Sequence, residues 1–133
     1  MQKTNSEKYP SASPKMVRLL KKHKIPCVYI SAELGDGWLP LIDVTMQMLE
    51  LFGWDREVHQ IKEKFGGLRF YTGALSENMY DIIGMAEKIS FRICERCGSD
   101  QKVETHQIGL HHGWIKSYCL PCFRKANIEL QGK

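Results

Sequence analysis

Two C-x-x-C pairs near the C-terminus constrain this 133-residue chain more than anything else in it: Cys94 and Cys97 in CERCG, and Cys119 and Cys122 in CLPC. Thiolates from two such pairs can close a tetrahedron around Zn²⁺ at about 2.3 Å per Zn–S bond, with no position left for substrate. Two such pairs with Gly98 directly after the first are much rarer by chance than one pair. The spacing therefore predicts a structural zinc and names no reaction.

Metal ligation rather than disulfide bonding is expected because nothing directs the chain out of the cytoplasm. The N-terminal MQKTNSEKYPSASPK has no apolar core of a signal peptide, and no apolar run approaches the roughly 20 residues that span a bilayer. Cytoplasmic residence keeps thiols reduced, and paired cysteines then read as ligands. Cys27, the fifth cysteine, sits alone in CVYISAEL, where a buried small hydrophobe is expected.

The remaining sequence predicts an α+β protein: a helix-and-β-hairpin body over residues 14–93 and a C-terminal four-cysteine zinc module over residues 94–133, packed on it. Residues 1–13, rich in Ser, Lys and Pro, read as a flexible arm. PKMVRLLKKHK fits a short basic helix with Met16, Val17, Leu19 and Leu20 on its apolar side, ended by Pro26, and CVYISAEL reads as a strand. Asp36 in GDGW is placed to cap a core helix of about Trp38 to Phe52, with Trp38, Leu41, Ile42, Thr45, Leu49 and Phe52 in one stripe. EVHQIKEKFGGLRFYTG reads as a hairpin around Gly66 and Gly67. Ser76 opens a second long helix, with Met79, Ile82, Ile83, Ala86, Ile89, Ser90 and Ile93 on one face, that leads directly into Cys94. Two short strands then reach CLPC, which begins a terminal helix. A treble-clef finger has one ligand pair on a knuckle and the other at a helix N-terminus; a zinc ribbon has both pairs on knuckles, and either frame fits the spacing.

Charge is compatible with nucleic acid or an acidic protein surface as partner, and equally with a solvated polar face. The net charge is +4, and the basic excess lies at the ends: seven Lys and Arg against two acids in residues 1–34, six against four in residues 94–133. In the hairpin, alternation puts Gln60, Lys62 and Lys64 on one face, with Arg69 and Tyr71 together on the partner strand and Ile61, Phe65, Leu68 and Phe70 toward the core. Such a basic and aromatic surface suits phosphates and stacked bases. The candidate nucleic-acid contacts are thus Lys62, Lys64, Arg69 and Tyr71, with Arg96, Lys116, Arg124 and Lys125 in the finger. Glu63 disturbs this pattern by turning inward; a bulge, a buried ion pair or different strand limits would each account for it.

Catalytic sets are absent by pattern: no P-loop, dinucleotide-binding glycine motif, HExxH or GxSxG occurs. Glu33, Asp36 and Asp43 cluster around GDGW, where capping and exposed positions explain them. His106, His111 and His112 lie between the cysteine pairs. Together with CERCGSDQKVETHQI and CLPCF they make the module resemble the HNH nuclease frame, in which His106 would be the base. Thr105 stands where that family has a metal-binding residue, and Phe123 where a His usually follows the second pair, so no catalytic residue is assigned.

GDGW, QIKEKFGGLRFYTG, AEKIS, CERCG and GWIKSYC, in this order over about residues 33–122, are similar to an uncharacterised family of small phage, prophage and bacterial proteins. The complete second C-x-x-C and the N-terminal helix depart from that family. The resemblance implies the host cytoplasm as setting and supplies no activity. Three functions follow as expectations: a zinc-stabilised binding protein for nucleic acid, an adaptor or inhibitor of a host protein anchored by Trp38, Trp54 or Trp114, or a degenerate HNH-type nuclease. Nothing in the sequence fixes an oligomeric state.

Overall fold

In the computed structural model, which describes residues 3–109 and 114–131, Ser76 opens its helix as the sequence predicts, its hydroxyl accepting the Met79 amide at 3.4 Å. The elements run α1 (Asn5–Lys8), α2 (Pro14–Lys22), β1 (Tyr29–Ile30), a 3₁₀ turn (Asp36–Trp38), α3 (Leu39–Leu51), β2 (Val58–Lys64), β3 (Gly67–Thr72), α4 (Glu77–Ser90), β4 (Val103–Gln107), β5 (Ile115–Cys119) and α5 (Leu120–Gln131). The fold is α+β. A three-stranded sheet of order β1-β2-β3 forms the body, and a β4-β5 ribbon with α5 carries the C-terminal cysteines.

α2, α3 and α4 each turn one stripe inward. α2 buries Met16 and Leu20, α3 buries Ile42, Thr45, Met46 and Leu49, and α4 buries Met79, Ile83, Ala86 and Ser90. They meet Ile30, Ile61, Leu68 and Phe70 from the sheet and the fully buried Trp38 in one core. Each large apolar side chain buried there contributes roughly 1.5–3 kcal/mol relative to exposure. Phe52 and Ile89, expected on these stripes, are instead exposed, since each stripe is narrower than the periodicity suggested.

The hairpin turns through Phe65 and Gly66, both at positive φ, a two-residue connection whose twist matches the strands. Phe65 is consequently exposed rather than in the core. Amides at both edges of the sheet have partners. The Val28 and Ile30 amides donate to the Lys8 and Pro10 carbonyls, while on the far side the Leu68 and Phe70 amides donate to Ser90 Oγ and the Glu87 carboxylate of α4. Covering the edge amides in this way blunts the sheet edges as templates for pairing with another chain.

The N-terminal residues differ from the expected arm. Tyr9 is buried, its hydroxyl donating to the Ile25 carbonyl at 2.6 Å, so an apolar ring draws this segment onto the body. CVYISAEL pairs as a strand only at Tyr29–Ile30, and Cys27 is exposed rather than buried. Asp36 does not cap α3. Its carboxylate accepts the Ser13 hydroxyl at 2.6 Å, Ser13 being the cap of α2, and the 3₁₀ turn leads directly into α3.

Candidate metal centre

The end of α4 delivers the chain to the first cysteine pair. Beyond Ser90 two turn hydrogen bonds, from the Arg92 and Ile93 amides to the Ile89 and Ser90 carbonyls, carry it into Cys94. There the Gly98 amide donates to the Cys94 carbonyl at 2.8 Å, with Gly98 at φ +85°, and the chain folds back in a tight knuckle. The second pair straddles a strand–helix junction: Cys119 ends β5 and Cys122 lies in the first turn of α5. All four Sγ atoms lie within 4.8 Å of one another, and Cys97 and Cys119 are 3.6 Å apart. A tetrahedron with metal–sulfur bonds of about 2.3 Å has edges of about 3.8 Å. The four cysteines are therefore placed to hold one metal ion.

The electrostatics agree with this. Burial, then hydrogen bonding of the protonated Cys122 thiol to Cys119, Cys97 and Cys94, pushes that thiol well above its ordinary value. Four thiolates can share so small a space only around a cation. Cys94, Cys119 and Cys122 are buried, and Cys97 is exposed.

The knuckle is seated on GDGW. The Gly37 amide donates to the Glu95 carbonyl at 2.8 Å and the Trp38 indole donates to the Ile93 carbonyl at 2.8 Å. A Cβ at Gly35 would overlap the Glu95 carbonyl oxygen, and one at Gly37 the Cys94 carbonyl oxygen. Those glycines thus let two backbone segments touch, a use the sequence does not disclose.

Beside the knuckle lies a buried charge cluster. Lys116 Nζ is 3.3 Å from Glu63 and 3.5 Å from Glu95, and it donates to the Glu33 carbonyl at 3.1 Å. Glu63 also accepts the Gly66 amide at 2.8 Å. Of the three explanations for Glu63, the buried ion pair holds; a register shift does occur in β2, but between Val58 and Gln60. Burial pushes the Glu95 carboxyl up to about 8, Lys116 opposing the rise and Glu63 adding to it. At 3.5 Å the Lys116–Glu95 contact is electrostatic, because neither Glu95 oxygen has a hydrogen-bond partner among the described residues. Lys116, expected to contact nucleic acid, is only 3 % exposed and cannot do so, because two carboxylates and a carbonyl draw it inward.

The other candidate residues divide by location. Lys62 and Arg69 are in register across β2 and β3, as are Gln60 and Tyr71, on the face opposite Ile61, Leu68 and Phe70. The Lys62 ammonium lies 5.8 Å from the Tyr71 ring centre. Lys64 is exposed at the turn, near Phe65. In the module, Arg124 and Lys125 are exposed beside the second cysteine pair, whereas Arg96 is engaged by Glu129 at 2.6 Å. Tyr29, which the sequence pattern did not single out, joins the hairpin face, since β1 pairs Tyr29 with Gln60. Its alternation between Val28 and Ile30 was the available signal.

Residues considered for catalysis or anchoring are mostly packed away. The His106 ring stacks on Phe123 at 4.1 Å, with its Nε2 buried; His111 and His112 lie outside the described residues. Trp38 and Trp54 are core residues and cannot serve as anchors, while Trp114 is exposed. Glu33 accepts the Ser31 hydroxyl, which holds its carboxyl below the usual range. Asp43 and Glu50 flank the buried His23 ring at 2.6 and 2.8 Å.

The fold and the cysteine cluster define a small α+β protein with a C-terminal four-thiol cluster that can hold a metal ion. Comparison with known proteins gives no match to a family model, a curated protein or a solved structure. No helix among the described residues is long and apolar enough to cross a membrane.

Proposed function

We propose that this is a zinc-stabilised protein that binds nucleic acid. Zinc suits four thiolates in a closed tetrahedron, because it has no geometric preference to violate and no redox chemistry to control. A pair on a knuckle and a pair entering a helix is the treble-clef arrangement, favoured over the ribbon because Cys122 lies inside α5. The positive end of that helix also favours thiolate.

The nucleic-acid reading rests on the register of Lys62 and Arg69. Like charges directly opposite one another destabilise a strand pair. Neither makes an ion pair with a carboxylate among the described residues, and a phosphate would relieve the repulsion. Arg124 and Lys125 add positive charge in the module. The similarity to small phage proteins makes an infected bacterial cytoplasm part of the same proposal. Binding of labelled DNA and RNA should weaken steeply between about 50 and 200 mM salt if several phosphates are contacted; no binding at the lower concentration would overturn the reading.

A protein partner is the second reading, favoured by one observation. Val44, Met48, Leu51 and Phe52 leave an exposed apolar stripe at helical spacing along and just beyond α3. Copurification of one partner, abolished in Leu51→Glu, would support it. The nuclease reading gains no support from a His106 ring packed against Phe123 with Nε2 buried.

A further inference from the structure

We infer that the open face of the β1-β2-β3 sheet is a platform for single-stranded nucleic acid, with one base stacked on Tyr29, another on Tyr71, and the backbone held by Lys62 and Arg69. The inference rests on the nucleic-acid reading above and assigns it a site and a strand state. Tyr29 is paired in register with Gln60, and Gln60 with Tyr71, so the three side chains form a row across three strands. At about 4.7–4.9 Å per strand, the two tyrosine backbones stand about 10 Å apart. Both rings are on the solvent side, 49 % and 42 % exposed, while Ile30, Ile61, Leu68 and Phe70 fill the opposite face.

The adjacent row is Lys62 and Arg69, where the unrelieved like-charge pair lies next to the rings. Cation and ring are already in contact, with Lys62 Nζ 5.8 Å from the Tyr71 centroid. Flat exposed rings beside cations suit unpaired bases, whose faces are free and whose phosphates follow within reach. A duplex presents its phosphates but no free base face, since its bases are stacked on one another. Gln60, between the rings, carries both a donor and an acceptor for a base edge. Recognition by stacking is sequence-tolerant, because every base has a π face.

The test is fluorescence anisotropy with a labelled mixed-sequence oligonucleotide of about 12 nucleotides, within the span one such platform covers, single-stranded and annealed to its complement, on the full chain. The single strand should bind at least about tenfold tighter than the duplex. Tyr29→Leu and Tyr71→Leu, which keep bulk but remove the π face, should each weaken it by roughly 5- to 150-fold, the range that stacking supplies. Tyr29→Phe and Tyr71→Phe should bind like the parent. Lys62→Ala or Arg69→Ala should reduce the log–log salt slope by about 0.7 for each phosphate no longer neutralised. Equal affinity for duplex, or single-strand affinity unchanged in the leucine variants, would overturn this site and leave the broader reading standing. No binding of either oligonucleotide at about 50 mM salt would overturn both.

Discussion

Lys116 of β5 and Glu63 of β2 form a buried ion pair at 3.3 Å that joins the four-cysteine module to the sheet. The same lysine approaches Glu95, next to Cys94, and Ser117 beside it donates to the Gly66 carbonyl at 2.6 Å. Metal ligands, knuckle and hairpin turn are thus held by one set of interactions. The expected boundary at residue 93 therefore runs through a dense interface.

Replacing Lys116 by Met leaves a buried carboxylate without its cation. Such truncations cost about 3–5 kcal/mol. We expect a decrease of that order in urea unfolding, and substantial recovery in Lys116→Met/Glu63→Gln, because the neutral amide needs no countercharge and its oxygen can still accept the Gly66 amide. Equal decreases in the single and double variants would show that the ion pair is not the cause.

Gly37 and Gly84 should respond oppositely to alanine. At Gly37 the new methyl overlaps the Cys94 carbonyl, so Gly37→Ala should displace the knuckle and weaken metal retention. Gly84 lies inside α4 with nothing near its missing Cβ, so Gly84→Ala should stabilise by about 0.5–1 kcal/mol. Thermal unfolding of both variants checks the contrast.

Acid should unfold the body through Asp43 and Glu50. Burial opposes ionisation of both, but hydrogen bonds from His23, with Lys22 at Asp43 and Arg56 at Glu50, outweigh it and hold both carboxyls below their ordinary values. Groups with lowered folded pKa values stabilise above the unfolded values, near about 4, and that contribution disappears as pH falls through the folded ones. Stability should therefore decline below about pH 4, less steeply in Asp43→Asn/Glu50→Gln. An unchanged acid limb in that variant would rule out this pair as the origin.

Chelation should open the module and the GDGW turn together. Hydrogen exchange should quicken over residues 94–109 and 114–131 and at Gly37, whose amide depends on the Glu95 carbonyl. The α2–α3 core and the β2–β3 ladder should keep their protection. Protection retained at Gly37 would mean that the knuckle holds its shape without metal.

Local signals were legible in the sequence and long-range ones were not. Ser76, the FGG turn and the cysteine spacing act within a few residues, so the α4 start, hairpin and metal ligands could be read directly. Lys116 looked like a surface cation because its partners lie far away in the chain, at Glu33, Glu63 and Glu95. Strand alternation could not warn of this, since Lys116 and Ser117 are both buried, one by charge and the other by the hairpin turn. Tyr9 was likewise hidden, as a polar composition around it outweighed one ring. The exposed row of Tyr29, Gln60 and Tyr71 needed the β1–β2 pairing, which no local pattern specifies.

Native mass spectrometry of the purified protein decides whether the four cysteines hold zinc. One zinc ion per chain is expected, with the mass of the displaced thiol protons missing, and the ion should be absent from Cys94→Ala or Cys122→Ala. A folded chain whose mass is that of the polypeptide alone, with all four thiols protonated, would refute the metal centre.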